Sequence, residues 1–195
     1  LYVKGELCRA DQVAIALVGT RRPSRYGSEQ AFRFGLLLAQ TGFTVVSGLA
    51  RGIDAQAHRG ALAAGGRTVA VLGSGLGEIY PPEHAALADE IAAGHGALVS
   101  EFPMRRGPEA QNFPARNRIV AAMTLGTLVV EAPAKSGALI TAHLACDYNR
   151  EVFVVPGPID GPAFGGSHDL IKTGRGKLVQ SLEDILDELG EVVAS

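Results

Sequence analysis

The chain has 195 residues, a formal charge of −2 and 47% hydrophobic residues, enough for one α/β domain with a substantial core. Near-neutral charge excludes bulk, nonspecific coating of DNA but leaves room for a local basic groove. No stretch is long and apolar enough to span a membrane, no signal segment is visible, and the 25 glycines and 10 prolines fall between regular apolar runs rather than in a disordered tract.

In chain order, Leu1–Leu7 reads as a short edge strand. Leu1 lies inside it without an initiating methionine, which reads as a segment of something longer. Val13–Val18 is a continuous apolar run, the pattern of a strand buried on both faces. GTRRPSRYG (Gly19–Gly27) follows, then a helix with Phe32, Leu36 and Ala39 at helical spacing, ending near Gly42. Phe43–Val46 forms the next strand, with β-branched Thr44, Val45 and Val46 following Phe43; Ser47 and Gly48 stop it. Asp54 takes a helix N-cap or first-turn place, and that helix runs to about Ala64, ended by Gly65-Gly66.

Thr68–Leu72 is a third core strand, closing in GSGLGEIYPP, and a helix is expected from about Glu83 to Ala93. Ala97–Val99 is a fourth strand. Met104–Gly107 is a basic loop, expected to be mobile. Phe113–Thr124 looks helical, with Pro114 at the favoured first position. Thr127–Val130 is a fifth strand, and Ser136 can cap the helix that runs to about Tyr148. Val152–Val155 is a sixth strand. A small helix, a short strand at Lys177–Val179 and an amphipathic helix at Leu182–Leu189 finish the chain.

Strand and helix alternate throughout, and the strands are nearly solid hydrophobe. That is the pattern of an α/β, doubly wound, mainly parallel sheet, read here as a single domain over 1–195. Cys8 and Cys146 show no metal or redox spacing, and Cys146 reads as a buried small hydrophobe; a reducing cytoplasm is the simplest setting. No cofactor or metal is expected: His58 stands four residues from Asp54 on one helix face, and two ligands do not make a metal site.

In this architecture ligands bind beyond the carboxyl ends of the strands. The loops there hold Arg21, Arg22, Arg51 and Lys135, with Arg116 and Arg118 close by, which points to a polyanion such as a nucleotide or nucleic acid. GTRRPSRYG is neither a dinucleotide fingerprint, lacking GxGxxG, nor a P-loop, lacking GK[ST]. Its arginines either contact phosphate or are simply solvated. In FPARNR (Phe113–Arg118) a cation in the first helical turn opposes the helix dipole, a broken local rule that hints at a site. Arg116 is either a ligand contact or a buried arginine paired with Glu101 or Glu131. Phe113 either stacks on a base or staples onto the helix, and Asn117 either donates to a phosphate or ties down a loop. Lys135, Ser136 and Gly137 stand at a helix N-terminus, a phosphate seat. Glu131 reads as an arginine's partner rather than a general base, since no nucleophile or metal set accompanies it.

Taken together, GTRRPSRYG, VVSGLARGIDAQAH, AVLGSGLGEIYPP, SEFP, FPARNRIVA, VVEAPAKSGALITA and REVFVVPGPI resemble the DNA-processing protein A family (DprA, also called Smf), in the family's order and over nearly the whole chain. The resemblance implies an extended Rossmann-like fold that binds single-stranded DNA, protects incoming DNA, forms a homodimer and helps load the RecA recombinase in natural transformation and recombination. It implies helical and winged-helix-like domains flanking the present one in many members. Carried over position by position, it places DNA against Arg21, Arg22, Gly48, Arg51, Phe113, Arg116, Asn117, Arg118, Lys135, Ser136 and Gly137. Arg22, Arg118 and Lys135 are the expected phosphate contacts and Phe113 the base contact. Three positions depart from the pattern: His168 replaces an Asn, GRGK is one residue longer than GAK, and LGSG replaces LGCG.

The competing expectation is an enzyme or nucleotide-binding module. A related-looking Rossmann family hydrolyses the N-glycosidic bond of nucleoside monophosphates, but its PGGxGT segment is absent from EAPAKSGALIT. The lack of a recognisable acid–base pair favours binding over catalysis.

Overall fold

Ala14–Val18, buried on both faces, becomes strand β2 near the middle of an eight-stranded sheet. The other strands are β1 (Tyr2–Gly5), β3 (Thr44–Ser47), β4 (Thr68–Leu72), β5 (Gly96–Ser100), β6 (Gly126–Val129), β7 (Glu151–Val154) and β8 (Lys177–Leu178). Their order is β1-β5-β4-β3-β2-β6-β7-β8, and every pairing is parallel except β1 with β5. The computed structural model describes residues 1–193. Among them, no helix is long and apolar enough to cross a membrane.

The helices are α1 (Arg25–Gln40), α2 (Ile53–Ala63), α3 (Ala85–Glu90), α4 (Asn112–Ala122), α5 (Ala138–Asp147), α6 (Gly165–Lys172) and α7 (Glu183–Val193). The period-2 alternation of the strands assigns them to two layers. Ile15, Leu17, Val45, Leu128 and Phe153 face α1, α2 and α7, while Ala16, Val18, Val71, Val129 and Val154 face α4, α5 and α6. Ile15, Leu17 and Phe153 are fully buried, and each such side chain contributes about 1.5–3 kcal/mol relative to exposure. The doubly wound architecture read from the sequence is the one observed.

Local differences have local causes. The helix expected over Glu83–Ala93 opens with a 3₁₀ turn at Pro82–His84, and after α3 it widens at Ile91–His95, where Gly94 takes a φ of +117°. α4 starts at Asn112, so Phe113 lies inside its first turn and Pro114 is the third residue, not the first. α5 starts at Ala138, whose N–H donates to Ser136 Oγ at 3.3 Å. Cys146 is half-buried rather than buried, its Sγ 3.5 Å from the Arg175 carbonyl; burial pushes the thiol up. The Met104–Gly107 loop, expected to be mobile, is pinned to the loop after β4: Gly75 N–H donates to Arg106 O at 2.8 Å and Gly77 N–H to Met104 O at 2.9 Å.

α1 and α2 approach with no side chain between them at two points. A methyl group at Gly35 would lie 2.4 Å from the Ala57 carbonyl, and one at Gly60 would lie 2.1 Å from the Phe32 carbonyl. Glycine at these positions lets the two main chains touch.

Candidate functional site

After β2 the chain winds outward in one direction (β3, β4, β5) and later in the other (β6, β7, β8), so the switch point lies between β2 and β6. A crevice forms outside the carboxyl ends at such a point. Here it is a cavity of about 800 Å³. Arg21, Arg22, Gly48, Phe113, Arg116, Asn117, Lys135, Ser136 and Gly137 all line it. Arg51 stands in a side pocket shared with Arg21, Tyr80 and Phe113, and its Nε donates to Glu83 at 2.5 Å. Arg118 is outside the lining and is paired with Glu101.

The cations differ in what they are free to do. Arg21, Arg22 and Lys135 are exposed and have no carboxylate partner among the described residues. Arg21 lays its guanidinium over the Phe113 ring at 5.1 Å from the centroid. Phe113 is half-buried; Tyr80 tilts against it at 5.7 Å, and a methyl at Gly73 would strike the ring. The ring therefore packs beneath the loop after β4 rather than stapling onto its own helix. Tyr80 went unnoticed in the sequence, where its signal is an aromatic in a strand-end loop of a chain with 6% aromatics.

Arg116 is only 4% exposed, and its Nη1 donates to the Gly48 carbonyl at 2.8 Å and to the Val71 carbonyl. Glu101 and Glu131, the carboxylates expected beside it, are engaged elsewhere, and Asp54 supplies the opposing charge. Burial pushes the Arg116 guanidinium down to about 10, with Asp54 pulling the other way. Asp54 accepts from Gly48 N–H at 3.0 Å and Ala50 N–H at 3.3 Å; burial pushes its carboxyl up and Arg116 opposes this. A side chain at Gly48 would meet both groups within 2.7 Å. Together they hold the turn that carries Leu49 at a φ of +58°. Asn117 accepts from Arg116 Nε at 3.2 Å and donates to Gly137 O at 3.4 Å, tying α4 to the start of α5.

Glu131 is fully buried and is not an arginine's partner: its carboxylate accepts from Ser24 N–H at 2.9 Å and from Ser24 Oγ at 2.6 Å. β6 delivers it beside the start of α1, so a serine 107 residues away takes it up.

Beneath this floor His58 is also fully buried, its Nδ1 2.7 Å from Thr68 Oγ1. The Thr68 hydroxyl donates to Val45 O at 2.7 Å, so Nδ1–H is the donor to Thr68 and Nε2 is left bare and unpartnered. Burial foremost, with His84, Arg116 and Arg59 adding, pushes the imidazole from 6.5 down to about 3. The unfolded chain takes up a proton near pH 6.5 and the folded one only near 3, so stability present above 6.5 is lost as pH falls through that window. The loss from this group reaches about 2 kcal/mol by pH 5. Asp54 works in the opposite sense but is common to wild type and variant. Urea denaturation at pH 7 and pH 5 should therefore show a shallower decline for His58→Leu; equal declines would remove His58 as the source.

The fold and the site define a Rossmann-like α/β domain with a cation-lined cavity at the topological switch point. The model of the DNA recombination-mediator protein A family matches residues 1–190, and the chain belongs to that family. It is 49% identical over 189 residues to the protein Smf of Escherichia coli, covering 97% of this chain and 50% of that one. The X-ray structure of DNA processing protein A from Streptococcus pneumoniae matches with a TM-score of 0.89 at 39% identity, over 95% of this chain and 65% of that chain. DNA processing protein A from Helicobacter pylori, solved for its single-stranded DNA binding mode, matches with a TM-score of 0.87 at 29% identity, over 97% of this chain and 86% of that chain. The chain spans about half the length of the curated relatives it matches, 50% in the Escherichia coli case.

Proposed function

We propose that this domain binds single-stranded DNA in the switch-point cavity without turning it over. The observation that carries this function is the set of three cations, Arg21, Arg22 and Lys135, that face one cavity with no carboxylate partner among the described residues. Paired arginines nearby, Arg51 and Arg118, show that acidic partners are available where the fold uses them. Phosphates sit against the free cations and the amides at the start of α5, and a base stacks on Phe113 once Arg21 leaves its face. Membership of the recombination-mediator family and the single-stranded DNA binding of the Helicobacter pylori relative support the same ligand. In the whole protein, the domain acts in a homodimer that protects incoming DNA and helps load RecA during natural transformation in the cytoplasm. The hydrolase alternative loses its candidate base, because both Glu131 oxygens are taken by Ser24.

Fluorescence anisotropy with a labelled oligothymidylate, competed by duplex of equal length over a salt series, tests the function. Tight, salt-sensitive binding that duplex displaces poorly is expected. Arg22→Ala and Lys135→Ala should each reduce the slope of log Kd against log salt by about 0.7, the share of one phosphate contact on a single strand. Unchanged affinity and slope in both variants would remove these residues from the interface, and no binding at low salt by folded protein would overturn the function itself.

A further inference from the structure

The first βα turn of a Rossmann-like sheet is where such folds seat a phosphate: glycines allow close approach, and the helix N-terminus offers free N–H groups and a positive dipole end. This chain has the corresponding parts in Gly19, Ser24, Gly27 and the 16-residue helix α1. The seat is filled from inside the protein. The Glu131 carboxylate accepts the Ser24 N–H and the Ser24 hydroxyl, while that hydroxyl accepts the Gly27 N–H at 3.0 Å. The fit is close: a methyl at Gly27 would lie 2.1 Å from a Glu131 carboxylate oxygen. Thr20 N–H also donates to the Glu131 carbonyl at 2.8 Å, which locks the two loops together.

Two observations make this more than an ordinary cap. α1 has no acidic residue in its first turn and begins on Arg25, so the anion at its N-terminus comes entirely from β6. Glu131 is fully buried yet forms no ion pair among the described residues; the end of α1 is its counter-charge. A buried carboxylate without a cation is costly unless its oxygens are hydrogen-bonded, and here they are, as those of a bound phosphate would be.

We infer that Glu131 is a built-in substitute for the phosphate that this kind of fold takes at its first βα turn, and that it closes the α1 seat to the pyrophosphate of free nucleotides. Incoming anions are then left only the rim formed by Arg21, Arg22, Lys135 and the start of α5. This assigns Glu131 a specificity role, and it explains why GTRRPSRYG has glycines at close-approach positions yet matches no nucleotide-binding fingerprint.

Thermal unfolding in acetate, inorganic phosphate and pyrophosphate, each against chloride at equal ionic strength, provides the test. Glu131→Ala vacates the seat and Glu131→Gln keeps it filled without charge. Glu131→Ala should show a saturable rise in Tm of ~3–6 °C, beyond the wild-type response, at ten times the half-saturating anion concentration. Glu131→Gln should respond as wild type does. An equal anion response in wild type and Glu131→Ala would overturn the inference. If Glu131→Ala does not fold, wild type compared with the rim variant Arg22→Ala/Lys135→Ala decides: a saturable rise in Tm with pyrophosphate that survives loss of the rim cations would show the α1 seat open and overturn the inference, and a rise that disappears with them is the expected result. A competition arm rests on the proposed DNA binding: at equal ionic strength pyrophosphate should displace labelled oligothymidylate from Glu131→Ala no better than from wild type, within about twofold, because DNA and anion meet at the rim and not at the α1 seat. Failure of DNA binding would be seen in that arm alone and would leave the thermal result standing.

Discussion

Replacing Arg116 with alanine is expected to cost about 3–5 kcal/mol of folding free energy, the scale for removing one member of a buried charged pair. The loss has three sources on the structure. The Gly48 and Val71 carbonyls lose their donor, Asp54 keeps a buried charge without its counterpart, and a cavity opens between α4 and β4. For a chain of this length the fall in Tm is about 6–20 °C. Urea denaturation and oligothymidylate affinity measured on the same preparation separate the two roles of Arg116 left open by the sequence. A stability loss under about 1 kcal/mol with a large loss of affinity would make Arg116 a ligand contact instead of the clamp on the Gly48 turn.

Phe113→Ala is expected to weaken single-stranded DNA binding by about 1–3 kcal/mol, roughly five- to 150-fold, the worth of one base stacked on an aromatic ring. In the free protein the Arg21 guanidinium occupies the face a base would use, 5.1 Å from the ring centroid. In the proposed complex, one planar cation would give way to a planar base and Arg21 would be freed for the adjacent phosphate. Phe113→Leu, which keeps much of the contact with Gly73 and Tyr80, should lose affinity with little loss of stability. If both variants lose stability and neither loses affinity beyond about twofold, the ring is packing only.

The sheet was legible because its signal is local. AIALV in β2 and TVAVL in β4 announce buried strands within five residues each, and the βα alternation makes the sheet mainly parallel. The gathering of Arg21, Phe113 and Lys135 around one cavity was legible for the same reason, since strand-end loops share one edge of the sheet. Pairing was not legible. Glu131 sat near several arginines in any plausible layout, and nothing local says that it turns toward Ser24. Arg118 and Arg116 are two residues apart on α4, and only the helix's orientation against β4 decides that one is buried under Gly48 while the other reaches Glu101. Leu49 at positive φ carries no sequence mark, because its conformation is imposed by Asp54 and Arg116 on either side of the preceding glycine.

The glycine contacts between α1 and α2 have a mechanical consequence. Helices whose main chains touch at Gly35 and Gly60 have no side-chain cushion to deform, so they neither slide nor roll against each other. The loop bearing Arg21 and Arg22 leads into one of them and the Gly48–Arg51 turn into the other, and Ile53 N–H bonds across to Thr20 O at 3.2 Å. These loops form a single stiff jaw. The opposing jaw is α4 and α5, joined by Asn117 to Gly137. Any opening of the cavity mouth is then expected along the line where the jaws meet over β2 and β6, since each jaw is braced within itself.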